Sequence, residues 1–438
     1  MKRSDLFIKL IVTIVSLLFG ITFIFSGFVK AVDPLGFTYK IEDYLISFQL
    51  TQFIPLALSF AVILIVIEVT LGVLTILGIY RKWTSFFAVL FMVVMTPLTL
   101  YIAVANPVKD CGCFGDALII SNWNTFYKNI VLLTFAIVLF VKRRHISPLY
   151  TKKAKPYVLV YVVLFFVTIC LYSLIYLPII DFRPYHVGSD LKDKIAEDMT
   201  QGDVYENIYV YEKEGNEKEF TEENYPWEDS TWTFVELKSK LIEEGDKPEI
   251  QDFTIIAYQK DSNGLFEKTD NITEDILSQP LSLLLVSLSL DDISESKIRH
   301  IQSLGNYAAT NSIDMHIVTA SDENAIGIFD RKMGDKRLNY ASMDELTLKT
   351  IIRSNPGVVL LKEGVVQAKW SKNRIPDEAK LHKIISKHQI GLKDMPNNNY
   401  ALKLLIICIM FIIPLIGIKW YDRDIFNSQD IKQYIQNK

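Results

Sequence analysis

The chain of 438 residues is long enough for two or three structural units, and half of its residues are hydrophobic. Its formal net charge of −4 argues against nucleic acid as a partner. The apolar residues are gathered in blocks, which marks an integral membrane protein in contact with lipid.

A helix that crosses a bilayer needs about 20 mostly apolar residues. Blocks of that kind are predicted at Leu10–Val29, Phe53–Tyr80, Trp83–Val104, Trp123–Val141, Tyr157–Ile180 and Ala401–Ile418. The first follows Lys2 and Arg3 as a signal peptide would, but it is too long for an h-region. "FSGFVKAVDP" also offers no small-residue cleavage site, so the block reads as a retained helix. Lys128 interrupts the fourth block, where a lysine near a helix end is expected to snorkel to the interface.

Lysine and arginine set the expected orientation. They cluster at the amino terminus (Lys2, Arg3, Lys9), at Arg81 and Lys82, in "VKRRHISPLYTKKAKP" and in the carboxyl tail. The alternate short loops hold only Lys30, Lys40 and Lys109. Both termini are therefore expected in the cytoplasm of a bacterial inner membrane. The loop "NPVKDCGCFGDALI" and the long segment after the fifth span are expected on the outer, oxidising side.

From Asp181 to Asn399 the composition is that of a soluble domain. Residues 202–245 alternate aromatic or β-branched residues with acids, as a partly covered sheet would. Further on, "DFTIIAY", "LSLLLVSLSL" and "IDMHIVTA" read as strands, the second suited to a central position. "SESKIRHIQSLGNYAATN" and "SMDELTLKTIIRS" read as helices. "NPGVVLLKEGVVQAKWS" reads as a hairpin turning at Glu363–Gly364, and a last helix is expected over about Pro376 to His388.

This β-α-β-α-β-β-α order, with "SNPGVVLLKEGVV", resembles the thioredoxin family over about Asp252 to Lys393. The resemblance makes Pro356 the counterpart of the family's cis-proline, which lies beside the active site. It also places the family's CxxC near Ser289 to Ile293, where this chain has "SLDDIS". No cysteine occurs between Cys170 and Cys408. Disulfide exchange needs a thiolate, so this domain is expected to bind or space rather than to catalyse.

The membrane part carries a second resemblance. "FIFSGFVKAVDPLGFTYKIEDYL", Glu68 and "DCGCFGD" are similar to the DoxX and MauE families, over about residues 5 to 145. These are four-helix membrane proteins, and MauE is a maturation factor in methylamine utilisation associated with disulfide formation in a periplasmic enzyme subunit. The whole arrangement resembles Bacteroidetes-type proteins in which such a bundle is fused to a thioredoxin-like domain.

The expected architecture is thus a multi-pass α-helical membrane protein with an extracytoplasmic α/β thioredoxin-like domain. Residues 1–145 form the four-span bundle, 146–180 a fifth span and 181–251 a linker or small β-containing segment. Residues 252–399 form the thioredoxin-like domain, and 400–438 a sixth span with a cytoplasmic tail.

Cys111 and Cys113 are the candidate catalytic residues. A disulfide wants its Cα atoms about 4.4–6.8 Å apart, so residues i and i+2 can join only where the chain folds sharply, and Gly112 permits that bend. The small ring is expected to be strained and readily exchanged. Lys109 favours a thiolate and Asp110 opposes it. A purely structural brace is the competing reading. A metal reading has only Asp110, Asp116 and His186 as company on the outer face, too little for the four ligands of a structural zinc, and no metal is expected.

Glu68 falls near the middle of its span, where a charge costs about 2.5–3.5 kcal/mol on insertion scales. It is expected to face the bundle interior, as a proton or quinone contact or as a hydrogen bond fixing helix packing. Lys30 and Asp33 can pair with each other or with Asp110, or serve as interfacial anchors. Cys170 and Cys408, inside spans, read as small hydrophobes. Asp181, Arg183 and His186 read as an interfacial belt with Phe182 and Tyr185, or as contacts between outer domain and membrane part.

Two functions compete. One is an envelope maturation factor that exchanges disulfides with an exported client through Cys111 and Cys113, a thiol–disulfide oxidoreductase with quinone as its candidate cofactor. The other is a non-enzymatic assembly or scaffold subunit of an envelope membrane complex. A transporter finds little support, because the spans lack paired Gly/Pro interruptions.

Overall fold

The computed structural model describes residues 3–108, 110–196, 204–213, 216–221, 224–226, 229, 231–243, 249–262, 264–334, 338–389 and 399–436. Among them, 6 helices are long and apolar enough to cross a membrane. The chain is therefore a multi-pass membrane protein. The spans are α1 (Arg3–Val32), α3 (Ala57–Leu77), α4 (Arg81–Ala105), α5 (Asn122–Val141), α6 (Lys155–Ile175) and α13 (Tyr400–Gln436).

Local chemistry sets their ends. Asp33 stops α1 and caps the next helix, α2 (Pro34–Ser47), by accepting from the Gly36 N–H at 3.0 Å, with Pro34 in the first turn. Sequence periodicity gave no separate element there, because α2 is a short, mixed-polarity helix. Gly78, with φ +63°, ends α3 in the left-handed conformation that glycine adopts freely. The fifth span stops at Ile175, short of the expected Ile180, three residues before Pro178, which disfavours a helical Leu177. The sixth continues past Ile418 to Gln436.

α1 and α3 lie close. A Cβ on Gly72 would stand 2.8 Å from the Gly20 carbonyl oxygen, and one on Gly27 would stand 2.3 Å from Val69 Cγ2. Small residues at such a contact let two backbones approach within a membrane, where packing rather than water exclusion drives association. The basic loops gather at one end of the bundle. There Arg81 donates to the Ile146 carbonyl (2.6 Å), Leu149 N–H to Leu77 (3.0 Å), and Thr151 N–H to Asp422 (2.9 Å). α13 packs on α6 through Tyr161, Phe165 and Phe411 and meets the loop before α6 through Leu415 and Asp422, while most of its other side chains face outward. Cys170 is buried as expected of a small hydrophobe, whereas Cys408 is exposed on α13.

After α7 (Leu191–Ala196) come two sheets. β1 (Val204–Lys213), β2 (Asn216–Phe220) and β3 (Thr233–Glu243) form an antiparallel sheet in the order β2-β1-β3, where the alternation of aromatics and acids suggested one. The larger sheet has 7 strands, β4 (Ile256–Lys260), β5 (Phe266–Asn271), β6 (Ser282–Ser287), β7 (Asp314–Thr319), β8 (Asn339–Ser342), β9 (Gly357–Lys362) and β10 (Val365–Ser371). Their order is β10-β9-β6-β7-β8-β4-β5, with β6, β7 and β8 parallel. Every residue of β6 is buried, as its continuous apolar run requires.

Helices α8 (Thr273–Ser278), α9 (Glu295–Thr310), α10 (Glu323–Met333), α11 (Glu345–Ile351) and α12 (Glu378–Gln389) flank this sheet, which separates two apolar cores. The β9–β10 hairpin turns at Glu363 (φ +51°) and Gly364 (φ +88°), as expected. β5, α8, α10 and β8 had no counterpart in the sequence reading.

Candidate functional site

Beyond α4 the chain turns at Asn106 and folds into the loop that carries the paired cysteines. Cys111 and Cys113 are joined by a disulfide, with Cα atoms 5.4 Å apart. Gly112 supplies the sharp bend at φ +63°, and Asp110 Oδ1 holds it by accepting from the Gly112 N–H at 2.8 Å. The loop is bound from two sides. The Tyr44 hydroxyl on α2 donates to the Cys111 carbonyl (2.8 Å), and Lys40 pairs with Asp110 (2.7 Å). From α1, Ser26 donates to the Cys113 carbonyl at 2.6 Å. Burial pushes the Tyr44 phenol up, with Asp110 and Asp43 adding to it, so this donor stays protonated. Both cysteines are buried, at 6 % and 9 % exposed. Lys109 lies outside the described residues.

Beneath the loop, Lys30 Nζ stands 2.8 Å from Glu68 Oε2 and donates to Ser26 Oγ at 3.1 Å. A line of polar contacts thus runs from Glu68, mid-way along its span, through Lys30 and Ser26 to the Cys113 carbonyl. The expected partners of Lys30 need correcting: it pairs with neither Asp33 nor Asp110. Close packing of α1 on α3 brings positions 30 and 68 together, and spacing along the sequence gives no hint of that. The Lys30 and Glu68 side chains are 6 % and 10 % exposed, so each charge depends on the other.

Asp33 looks outward, to the sheet domain. Arg353 Nε binds its Oδ2 at 2.8 Å, and Arg353 Nη2 reaches half-exposed Asp116 at 3.2 Å. The guanidinium also lies 5.4 Å from the Tyr39 ring centroid, and Lys349 Nζ lies 4.8 Å from it. Arg353 stands three residues before Pro356, whose bond to Asn355 is cis. Asn355 Oδ1 accepts from Ser287 Oγ (2.8 Å) and Leu288 N–H (3.0 Å), which fixes the proline loop to the end of β6. The sheet domain therefore sits at the same end of the bundle as the cysteine loop, with its proline-loop edge turned toward that loop.

A second charged group braces the linker. Asp181 accepts from Arg183 Nε (2.7 Å) and Lys369 Nζ (2.9 Å), and Arg183 Nη1 donates to the Thr350 carbonyl (2.7 Å). Burial alone would raise the Asp181 carboxyl, but the two cations outweigh it and hold it below the ordinary range. Burial lowers Lys369 to about 8. Two cations serve the carboxylate, while the ammonium shares that one carboxylate with Arg183 and bears its own desolvation. Arg183 and Asp181 thus tie the linker to the sheet domain, and His186 packs edge-on against Tyr400 at 5.8 Å.

Two clefts border the cysteine loop. The outer one lies between bundle and linker and is lined by Lys30, Asp33, Lys40, Asp116 and Asp181 and by Val29, Phe37, Ile180 and Phe182. The inner one is small, lies among the spans and is lined by Phe23, Phe91, Met92 and Phe114 together with Ser26, Glu68, Cys113 and Lys128. Lys30 borders both. Lys128 lies near the start of α5, on the side of the cysteine loop. Its ammonium reaches the cysteine loop and lies over the Phe114 ring, 4.3 Å from the centroid. Among the described residues no group of three or more His, Cys, Asp or Glu is placed to hold a metal ion.

Residues 8–142 match the family model of the methylamine utilisation protein MauE. This MauE-matching segment spans α1 through α5 and contains Ser26, Lys30, Asp33, Glu68 and both loop cysteines. Residues 205–244, the three-stranded sheet, match a domain of unknown function, DUF8463. No curated protein matches the chain. Among solved structures, the reduced 2-Cys peroxiredoxin of Plasmodium vivax is similar at 14 % identity over 32 % of this chain and 83 % of that one, with a TM-score of 0.24.

Proposed function

We propose that the protein is a membrane-anchored maturation factor of the bacterial envelope, which exchanges disulfides with exported clients through Cys111 and Cys113. The observation that carries this reading is the position of the cysteine loop, bonded and bent at Gly112 between two clefts of mixed lining that share Lys30. A client dithiol would attack the Cys111–Cys113 bond, leave with its own sulfurs joined, and leave two thiols on the loop. The MauE match over the bundle supports a maturation role. The basic residues of the opposite loops support an orientation with both termini in the cytoplasm and the sheet domain outside.

The sheet domain reads as thioredoxin-like in this proposal. Three parallel strands, an antiparallel hairpin after a cis-proline and helices on both faces support that assignment. Without cysteines it serves as a binding module. Its proline loop is tied beside the cysteine loop through Arg353, which reaches Asp33 and Asp116, so a client held there would lie next to the loop rather than far above it. Access to the sulfurs, packed against Ile102, Val108 and Tyr44, then requires the loop to open, and the Arg353 tie to Asp116 restrains it.

Burial of both cysteines also favours a second reading, in which the disulfide is a brace and the protein a scaffold subunit. Replacing both cysteines by serine, and following client thiols together with the protein's own abundance, separates the two. Altered client thiols at normal abundance support exchange. Lost abundance with unaltered clients supports the brace.

A further inference from the structure

The two sulfurs of the loop are not placed alike. Thr125, fully buried in the first turn of α5, holds its Oγ1 3.6 Å from Cys111 Sγ, within hydrogen-bond reach of so large an atom. A disulfide sulfur carries no proton, so the threonine hydroxyl is the donor. That choice of partner sets Thr125 apart within the bundle. Thr13, Thr22, Thr99, Thr134 and Thr168 each turn the hydroxyl back to the carbonyl four residues earlier, the local bond open to any helical threonine. A second donor meets the same sulfur, the Cys113 N–H at 3.2 Å, brought there by the bend at Gly112. Among the described residues no donor is directed at Cys113 Sγ. Cys113 instead borders the cleft among the spans, which Cys111 does not.

Resting on the exchange reading, we infer that the client attacks Cys113 and that Cys111 is the sulfur that leaves, with Thr125 as the catalytic donor that receives it as a thiolate. Exchange runs through a mixed disulfide, and the sulfur with the more stable thiolate leaves faster. A disulfide sulfur is a weak acceptor, whereas hydrogen bonds to an ionised acceptor are roughly twice as strong as neutral ones. Both bonds to Cys111 Sγ therefore tighten as charge develops there, and only interactions that strengthen in this way speed the step. Thr125 also brings Cys111 to the first turn of α5, where the helix dipole favours negative charge. A client thiolate bonds to Cys113 Sγ as the Cys111–Cys113 bond breaks, and the bonding pair passes to Cys111 Sγ. The client's second thiol, once deprotonated, then attacks the client sulfur of the mixed disulfide and Cys113 departs. Two electrons and two protons pass from the client dithiol to the loop, and no other reagent is consumed.

The test uses the full-length oxidised protein in detergent. It is mixed with excess reduced glutathione and quenched in acid at early times, and the cysteine carrying the glutathione is located by peptide mass. Transfer to a reduced dithiol peptide is timed in parallel. In wild type the adduct should form on Cys113. Thr125→Val, of the same shape without the donor, should slow transfer about 10-fold, the loss expected for one hydrogen bond to a charged group, and spread the adduct over both cysteines. Thr125→Ser should keep most of the rate and the wild-type adduct. An adduct found mainly on Cys111 in wild type overturns the assignment of roles, and that result needs no variant to fold. Unchanged rate and adduct in Thr125→Val, or equal slowing in Thr125→Val and Thr125→Ser, makes the threonine a packing residue and overturns its role. In each of these cases the exchange reading stands. If the wild-type disulfide reacts with neither glutathione nor peptide, that reading fails and takes this one with it.

Discussion

Replacing Glu68 with glutamine removes one charge from a pair that is almost wholly withdrawn from solvent. The carboxylate and the Lys30 ammonium are 2.8 Å apart, and their side chains are 10 % and 6 % exposed. Removing one partner of a buried pair costs about 3–5 kcal/mol, because the other charge is left uncompensated. Replacing both by apolar residues of similar size costs far less, since two desolvation penalties vanish with the attraction. Glu68→Gln and Lys30→Met should therefore each destabilise the bundle by about 3 kcal/mol or more, and the double variant by much less than the sum, a coupling well above the 0.3–0.5 kcal/mol scatter of independent sites. The assay is reversible unfolding in mixed micelles. It is read alongside the alkylation rate of the reduced loop thiols, which should rise in Glu68→Gln as Ser26 loses its ordered neighbour. Single losses under about 1 kcal/mol, or simple additivity, would show that the two groups do not pair and would refute the polar line to Cys113.

Gly112→Ala forces a side chain into the left-handed region and puts its Cβ 3.0 Å from Lys40 Cγ. It should cost about 1–2 kcal/mol and lower the fraction of Cys111–Cys113 found bonded by mass spectrometry of purified protein. Gly72→Val drives a branched side chain at the Gly20 carbonyl, 2.8 Å from the new Cβ, and should reduce folded protein in membranes more than Gly417→Val on outward-facing α13. Arg353→Met leaves Asp33 and Asp116 without their cation. A loss of about 3 kcal/mol raises the undocked fraction about 100-fold, which limited proteolysis of the sheet domain and faster exchange of the disulfide should both register. The pH dependence has two limbs. Asp181, held below its ordinary value, contributes stability that is present above about pH 3.9 and is lost as pH falls below it. Lys369, lowered to about 8, makes the native sheet domain release a proton before the unfolded chain does, so stability rises as pH climbs from about 8 toward 10.4. Denaturant unfolding followed by near-ultraviolet circular dichroism checks both, and Asp181→Asn should remove the acid limb.

The spans were legible because a run of apolar residues longer than a bilayer is thick has few other uses, and the β9–β10 hairpin because Glu363–Gly364 demands positive φ. The bend between the cysteines was readable from Gly112 for the same reason. What the sequence hid depends on contacts between distant residues. Lys30 meets Glu68 only because glycines at 20, 27 and 72 let α1 and α3 approach. Arg353 meets Asp33 across 320 positions of chain, with no periodicity to betray it. Lys128 read as a snorkelling lysine near a helix end, and its partner there, the Phe114 ring of the cysteine loop, follows from how that loop folds back over the spans. α10 and β8 escaped notice because "ENAIGIFDRKM" and "NYAS" are short and polar enough to read as loop.

The central claim is that the disulfide of the cysteine loop is exchangeable and not a fixed brace. Purified, oxidised protein mixed with a reduced dithiol peptide provides the direct measurement, with the thiols of both partners counted by mass after acid quenching. The account predicts that one disulfide passes to the peptide per molecule of protein, leaving Cys111 and Cys113 as thiols, and that Arg353→Met speeds the transfer. A Cys111–Cys113 bond that stays intact under excess dithiol, in wild type and in Arg353→Met alike, would contradict it.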